Sequence, residues 1–266
     1  MLKKWLIYKK IIRGTETMDG SYYIIMIIGL ALSTITSAMV KSAFKKGDKI
    51  VLRSGLTGAE VAMKVIANAG LDGVRVEQTD GFLTDHYNPV TKKLVLSSSV
   101  YHGRSAAAAG VAAHEAGHAI QHAKKYAPLW LRSALVPVAN LGSRLGIWLI
   151  VIGLALSAGY NYTANAQSGG AAFGGGGIST VIATVGVGLF SAAVLFTLIT
   201  VPVEFDASRR AKRLLSELAV VQTQEEEKTV ASVLLAAGLT YVAAAVSSVL
   251  QLLYWLAKLG LLNRRR

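Results

Sequence analysis

The stretch Ser105 to Ala123, SAAAAGVAAHEAGHAIQHA, decides how this chain is built. Apart from Glu115 it carries no acidic or basic charge, so it could pass for a membrane span. Its apolar residues are mostly alanine, however, and it contains His114, Glu115, His118 and His122. Placing a carboxylate and three imidazoles in hydrocarbon is costly, whereas a buried helix in a water-facing domain accommodates them. We therefore read it as the central helix of such a domain.

Four other stretches suit the bilayer, whose hydrocarbon core of about 30 Å takes about 20 apolar residues to cross. They are Ser21 to Val40, Leu145 to Tyr160, Ile178 to Val203 and Thr229 to Ala257. The expected fold is mainly α: a four-helix transmembrane protein with a small α+β domain on the cytoplasmic side that carries the His-bearing helix. Expected segments are an N-terminal extension (1–20), a first span (21–40) and the domain (41–137). A membrane hairpin (138–203) with a Gly-rich loop (161–177), a short helix (204–228), and a last span with a basic tail (229–262) follow.

Composition agrees with a bilayer partner. The 266 residues are 53% hydrophobic with a mean hydropathy of +0.46. The net charge of +13 is spread over the flanks of the apolar runs, with no basic stripe interleaved with aromatics, which argues against nucleic acid. Cysteine is absent, so a transition metal would have to be held by imidazole and carboxylate. The oligomeric state is left open.

Within residues 41–137, Thr57 and Glu60 form a capping-box pattern ahead of Val61, Ala62, Val65 and Ile66, which predicts a helix ending at Gly70. Alternation at Val74 to Glu77 and the run Leu94 to Leu96 predict two short strands, with a turn at Asn88-Pro89 between them. The second strand, just before the His-bearing helix, is expected to be an edge that takes the backbone of a peptide as an extra strand.

His114-Glu115-Ala116-Gly117-His118 is an H-E-x-x-H match. Four residues advance a helix by about 6 Å and return nearly to the same face, so both imidazoles can reach one metal ion. Glu115, about 100° round the helix, lies where it can take a proton from zinc-bound water. Gly117 destabilises a helix interior by about 1 kcal/mol relative to Ala, which points to a close approach by another backbone or by substrate. His122 is about 12 Å along the axis from His114 and is expected in the surroundings of the site or on the surface.

The expected cofactor is one catalytic Zn²⁺, which usually takes three protein ligands. Glu204 is the candidate third ligand, presented by a helix beginning near Pro202. With four crossings, residues 41–137 and 202–228 fall on one side of the membrane, together with Lys41, Lys45, Lys46, Lys124, Lys125, Arg132, Arg209 and Arg210. The positive-inside rule makes that side the cytoplasm. The cations between Lys3 and Arg13 conflict with this, a conflict removed if translation starts at Met18. Donors to the negative oxygen that forms during hydrolysis are expected among His86, Tyr87, Tyr101 and His102.

At this point the chain resembles the YugP-type neutral zinc metallopeptidases of bacterial membranes. The resemblance rests on SGLTGAEVA from Ser54, LTDHYNP from Leu83, LSSSVYHGRS from Leu96, VAAHEAGHAIQHA from Val111, LRSALVPVAN from Leu131 and PVEFDASRRA from Pro202. It implies a membrane enzyme of the bacterial plasma membrane acting on protein or peptide substrates. The Glu204 segment is also similar to E-F-x-A-D of the HtpX and CAAX-protease type, whose Glu binds zinc. Here Ser208 stands at the Asp position, so support for a zinc-bound imidazole is expected to be weak, and Asp206 is expected to face away. Two alternatives are an intramembrane protease of the site-2 type, for which Leu71-Asp72-Gly73 would be the partner motif, and a membrane scaffold with a structural or inactive zinc site.

Overall fold

The computed structural model describes residues 19–168 and 177–262. Nearly all of the expected N-terminal extension, the Met18 start, residues 169–176 of the expected Gly-rich loop and the tail Arg264 to Arg266 lie outside them, while residues 161–168, expected in that loop, continue a helix instead. The elements in order are α1 (Gly20–Gly47), α2 (Gly58–Asn68), β1 (Arg75–Thr79), β2 (His86–Asn88), β3 (Lys93–Ser97), α3 (Ser98–Tyr101), α4 (Ala106–Ala123), α5 (Ala127–Leu141), a π-helical turn (Gly142–Gly146), α6 (Ile147–Ser168), α7 (Gly177–Glu217) and α8 (Gln224–Lys258). Four helical segments among the described residues are long and apolar enough to cross a membrane: Gly20–Gly47, Ala127–Ala158, Gly177–Glu217 and Gln224–Lys258. The alanine-rich α4 is not one of them.

The chain divides into two compact units. Among the described residues, the first comprises 19–30, 134–168, 177–197 and 245–262. Its helices touch through glycine: a Cβ at Gly153 would lie 2.7 Å from the Ser179 carbonyl oxygen, and one at Gly186 2.7 Å from that of Gly146. Small residues that let backbones meet are how helices associate in lipid, where burying apolar side chains gains nothing. Tyr23, Ile24, Ile27 and Leu30 are each more than half exposed, the surface a bilayer would cover.

The second unit comprises residues 31–133 and 198–244. Its core gathers Val61, Val65, Leu94, Leu96 and Val100 around the alanines of α4, with Leu215, Val230 and Val233. The alanines admit close neighbours on all sides, which is why α4 is buried from Ala106 to Gln121 almost without interruption. Helix α2 starts with the expected capping box, Thr57 and Glu60 each accepting from the other's backbone N–H, and Gly70 follows it with φ +65°. Leu71-Asp72-Gly73 is a turn, closed by Val74 N–H donating to the Leu71 carbonyl at 3.0 Å.

Two expectations need correction. The sheet has three strands in the order β1-β3-β2, with β1 parallel and β2 antiparallel to β3. The strand before the metal helix, β3, is therefore the middle strand with both edges paired, and β2 is an edge. Strand β2 reads His-Tyr-Asn before a proline, a composition that favours turns, and it was invisible to periodicity.

The second correction concerns proline. Glu204 is not in the first turn of a helix beginning near Pro202: Pro202 lies inside α7, and Pro137 likewise lies inside α5. A proline costs about 3 kcal/mol in a helix interior, but ending the helix in or beside hydrocarbon would leave several more backbone groups without partners.

Candidate metal centre

His114 and His118 are one turn apart on α4, and Glu204 comes from α7. Glu204 Oε2 is 3.2 Å from His114 Nε2 and 3.5 Å from His118 Nε2, and the carboxylate is almost completely buried. These three residues form a group that could hold a metal ion. A tetrahedral ion with bonds of about 2.1 Å separates its ligand atoms by about 3.4 Å, so the two spacings suit zinc. Being deep in α7, Glu204 cannot be serving the macrodipole of a helix N-terminus.

Neighbouring side chains orient the imidazoles. Gln121 Nε2 donates to the Val203 carbonyl at 2.9 Å and to Asp206 Oδ2 at 2.8 Å, both of which can only accept. That fixes the amide, so its Oε1, 3.0 Å from His118 Nδ1, accepts a hydrogen bond from that nitrogen. The His118 Nε2 lone pair then faces the Glu204 carboxylate, an arrangement of two acceptors that calls for a proton or a metal ion between them. His114 Nδ1 is 3.1 Å from Ser208 Oγ, so the serine does reach the imidazole. Asp206 does not face away from the site: it holds Gln121 and receives Arg210 Nε at 2.6 Å, two links from His118.

Burial disfavours a charged His118, but the hydrogen bond it would then donate to Glu204 and the charge of Glu115 outweigh it and raise its pKa above the ordinary imidazole value. Glu115 is buried on the same helix. Glu204 Oε1 receives Arg132 Nη1 at 3.1 Å, and Tyr241 stands close to the same carboxylate. In the sequence Arg132 passed for a membrane-flanking cation and Tyr241 for one more residue of an apolar run. Their spacing to the motif is not local, so no pattern along the chain flags them.

The other expected residues have their own partners. His86 Nδ1 meets the Thr84 carbonyl at 2.9 Å. Tyr87, on β2, bonds His122 Nδ1 at 3.0 Å, and His122 is exposed. His102 Nε2 meets Gln78 Oε1 at 2.9 Å, and Tyr101 packs edge-on against the His102 ring. Ahead of β2, the Asp85 carboxylate accepts from Ser97 N–H at 2.7 Å and ties the strand's entry to the end of β3. Beside the metal helix lies a groove of about 660 Å³, lined among others by Pro89, Val90, Gln121, Tyr126 and Trp130.

Membrane-length helices, together with two imidazoles on an H-E-x-x-H helix facing a carboxylate from α7, are the features of a membrane protein of the metallopeptidase type. The family model described as "Putative neutral zinc metallopeptidase" matches residues 22–260, and the chain belongs to that family. It is 41% identical to the "Putative membrane protease YugP" of Bacillus subtilis (strain 168) over 232 residues, 87% of this chain and 93% of the relative. No solved structure matches it.

Proposed function

We propose that this protein is a zinc-dependent endopeptidase that hydrolyses protein substrates at the surface of the bacterial plasma membrane. His114, His118 and Glu204 would hold a single zinc ion, and Glu115 would be the general base. The observation that carries this reading is the convergence of both Nε2 atoms on Glu204 Oε2, with Gln121 turning the lone pair of His118 inward. A zinc ion held there would bring the pKa of a water ligand to about 7 and polarise a carbonyl.

Glu115 then takes a proton from the attacking water and later returns it to the departing amine nitrogen. Ser208 and Gln121 keep the imidazoles from rotating. A substrate in the groove beside α4 would add its backbone as a strand to the edge offered by β2, because β3 has no free edge.

The rise of a helix supports a place at the membrane surface. Glu204 is 27 residues beyond Gly177, about 40 Å along α7, and directly follows the apolar run Ile178 to Val203. If that run fills the hydrocarbon core, Glu204 is the first residue past it. The basic residues near both segments that meet at the site favour the cytoplasmic face.

The test is hydrolysis of an unfolded protein such as casein by zinc-loaded wild type and by Glu115→Gln. Cleavage by wild type alone is expected. Bound zinc without any cleavage that depends on Glu115 would favour a scaffold. Cleavage confined to a bond inside a model transmembrane segment would favour the site-2 type, although Leu71-Asp72-Gly73, its required partner motif, is a helix-ending turn.

A further inference from the structure

The Glu204 carboxylate has two sides. Oε2 faces His114 and His118, while Oε1 receives Arg132 Nη1 at 3.1 Å. The Tyr241 side chain, from the helix facing it, stands close to the same carboxylate. Arg132 comes from α5 and Tyr241 from α8, so donors from two further helices stand beside the ligand carboxylate.

Holding one carboxylate oxygen does not exhaust them. A guanidinium carries five N–H groups, more than Oε1 can accept, and the Arg132 side chain is 26% exposed while Glu204 is 2% exposed. It can serve a group arriving from solvent without leaving the carboxylate. The candidates from the water-facing segments, His86, Tyr87 and His102, are each hydrogen-bonded within that part of the fold.

We propose that Arg132 and Tyr241 are the donors that stabilise the negative oxygen formed at the scissile carbonyl. This rests on the peptidase reading above. As the water oxygen bonds to the carbonyl carbon and its proton passes to Glu115, the π pair of the carbonyl moves onto its oxygen. Arg132 N–H and Tyr241 O–H donate to that oxygen. When the C–N bond breaks, the pair returns to re-form the carbonyl, and Glu115 delivers the proton to the amine nitrogen. Peptide and water become acid and amine, with no other reactant.

Tyr241→Phe deletes a single oxygen atom and keeps the ring, which makes it the cleanest variant. The full-length protein in lipid nanodiscs, loaded with zinc, is compared as wild type, Tyr241→Phe, Arg132→Gln and Arg132→Lys, with casein as substrate. A phosphonamidate peptide, whose tetrahedral phosphorus oxygens mimic the oxygen that becomes negative, is titrated calorimetrically against each. Tyr241→Phe and Arg132→Gln are expected to lower kcat by about 10²–10³-fold with KM changed by no more than about twofold.

Bound zinc is expected to stay at the wild-type level, affinity for the phosphonamidate to fall in step with kcat, and Arg132→Lys to recover part of both. Undiminished kcat in Tyr241→Phe, or an activity loss accounted for by lost zinc, overturns the proposal and leaves the peptidase reading standing. Wild type without Glu115-dependent cleavage overturns both.

Discussion

Gly117 and Ala207 are in backbone contact: a Cβ built on Gly117 would lie 2.8 Å from the Ala207 carbonyl oxygen and 3.3 Å from its Cα. The contact is between α4 and α7, one residue before His118 and three after Glu204. The glycine of H-E-A-G-H is thus what lets the two helices approach until the ligands meet. Gly117→Ala must push α7 outward. We expect a destabilisation of about 1–3 kcal/mol, as for overpacking, read from thermal unfolding. Zinc affinity, read by competition with a chromophoric chelator, should fall by tenfold or more, about 1.4 kcal/mol, since the displaced helix carries a ligand.

Gln121 joins His118 to α7 through the Val203 carbonyl and Asp206. Gln121→Leu has about the same volume but frees the imidazole to rotate, removes the side-chain donor to the Val203 carbonyl and leaves Asp206 with Arg210 alone. Zinc affinity is expected to drop about 10–100-fold, the usual penalty for losing a group that orients a ligand. Isothermal titration with zinc gives the number directly.

Ser208 stands 3.1 Å from His114 Nδ1, at the position of the Asp in the E-F-x-A-D pattern that this segment resembles. Ser208→Ala should weaken zinc binding by about tenfold, and Ser208→Asp should match or exceed wild type, because a carboxylate accepts the Nδ1 proton more strongly. Chelator competition on the three proteins ranks them.

The pH dependence follows from His118. Its pKa is raised in the folded, metal-free protein, because Glu204 and Glu115 outweigh the burial that opposes the charge. The stability this contributes is fully present below the ordinary imidazole value of about 6.5 and is lost as pH rises through the raised value. Protons compete with zinc over the same window, so zinc affinity should climb with pH from about 6.5 upward. Thermal melts of metal-stripped protein and zinc titrations across that range should therefore run in opposite directions.

How legible all this was in the sequence depended on the range of the interaction. The capping box at Thr57 and the turn at Leu71-Asp72-Gly73 are local, and they form as read. The apolar runs marked the membrane helices. Gly117 was legible as a close approach because a glycine in a good helix has few other reasons to be there, though the partner, Ala207, was not. Strand β2 was lost because pairing with β3 overrides its poor propensity, and Pro202 misled because helix continuity beside a membrane outweighs a missing N–H.

Bringing Glu204 to the histidines was a matter of topology, which could be counted along the chain. Arg132, Tyr241, Gln121 and Asp206 reach the site only through tertiary packing, and each looks ordinary where it stands.

The central claim is that one zinc ion sits among His114, His118 and Glu204. Anomalous-scattering data collected on either side of the zinc absorption edge from zinc-loaded protein test it most directly. The account predicts one peak within about 2.2 Å of His114 Nε2, His118 Nε2 and a Glu204 oxygen, lost in Glu204→Ala. A peak that touches the histidines but not Glu204, or no peak at this site, would contradict it.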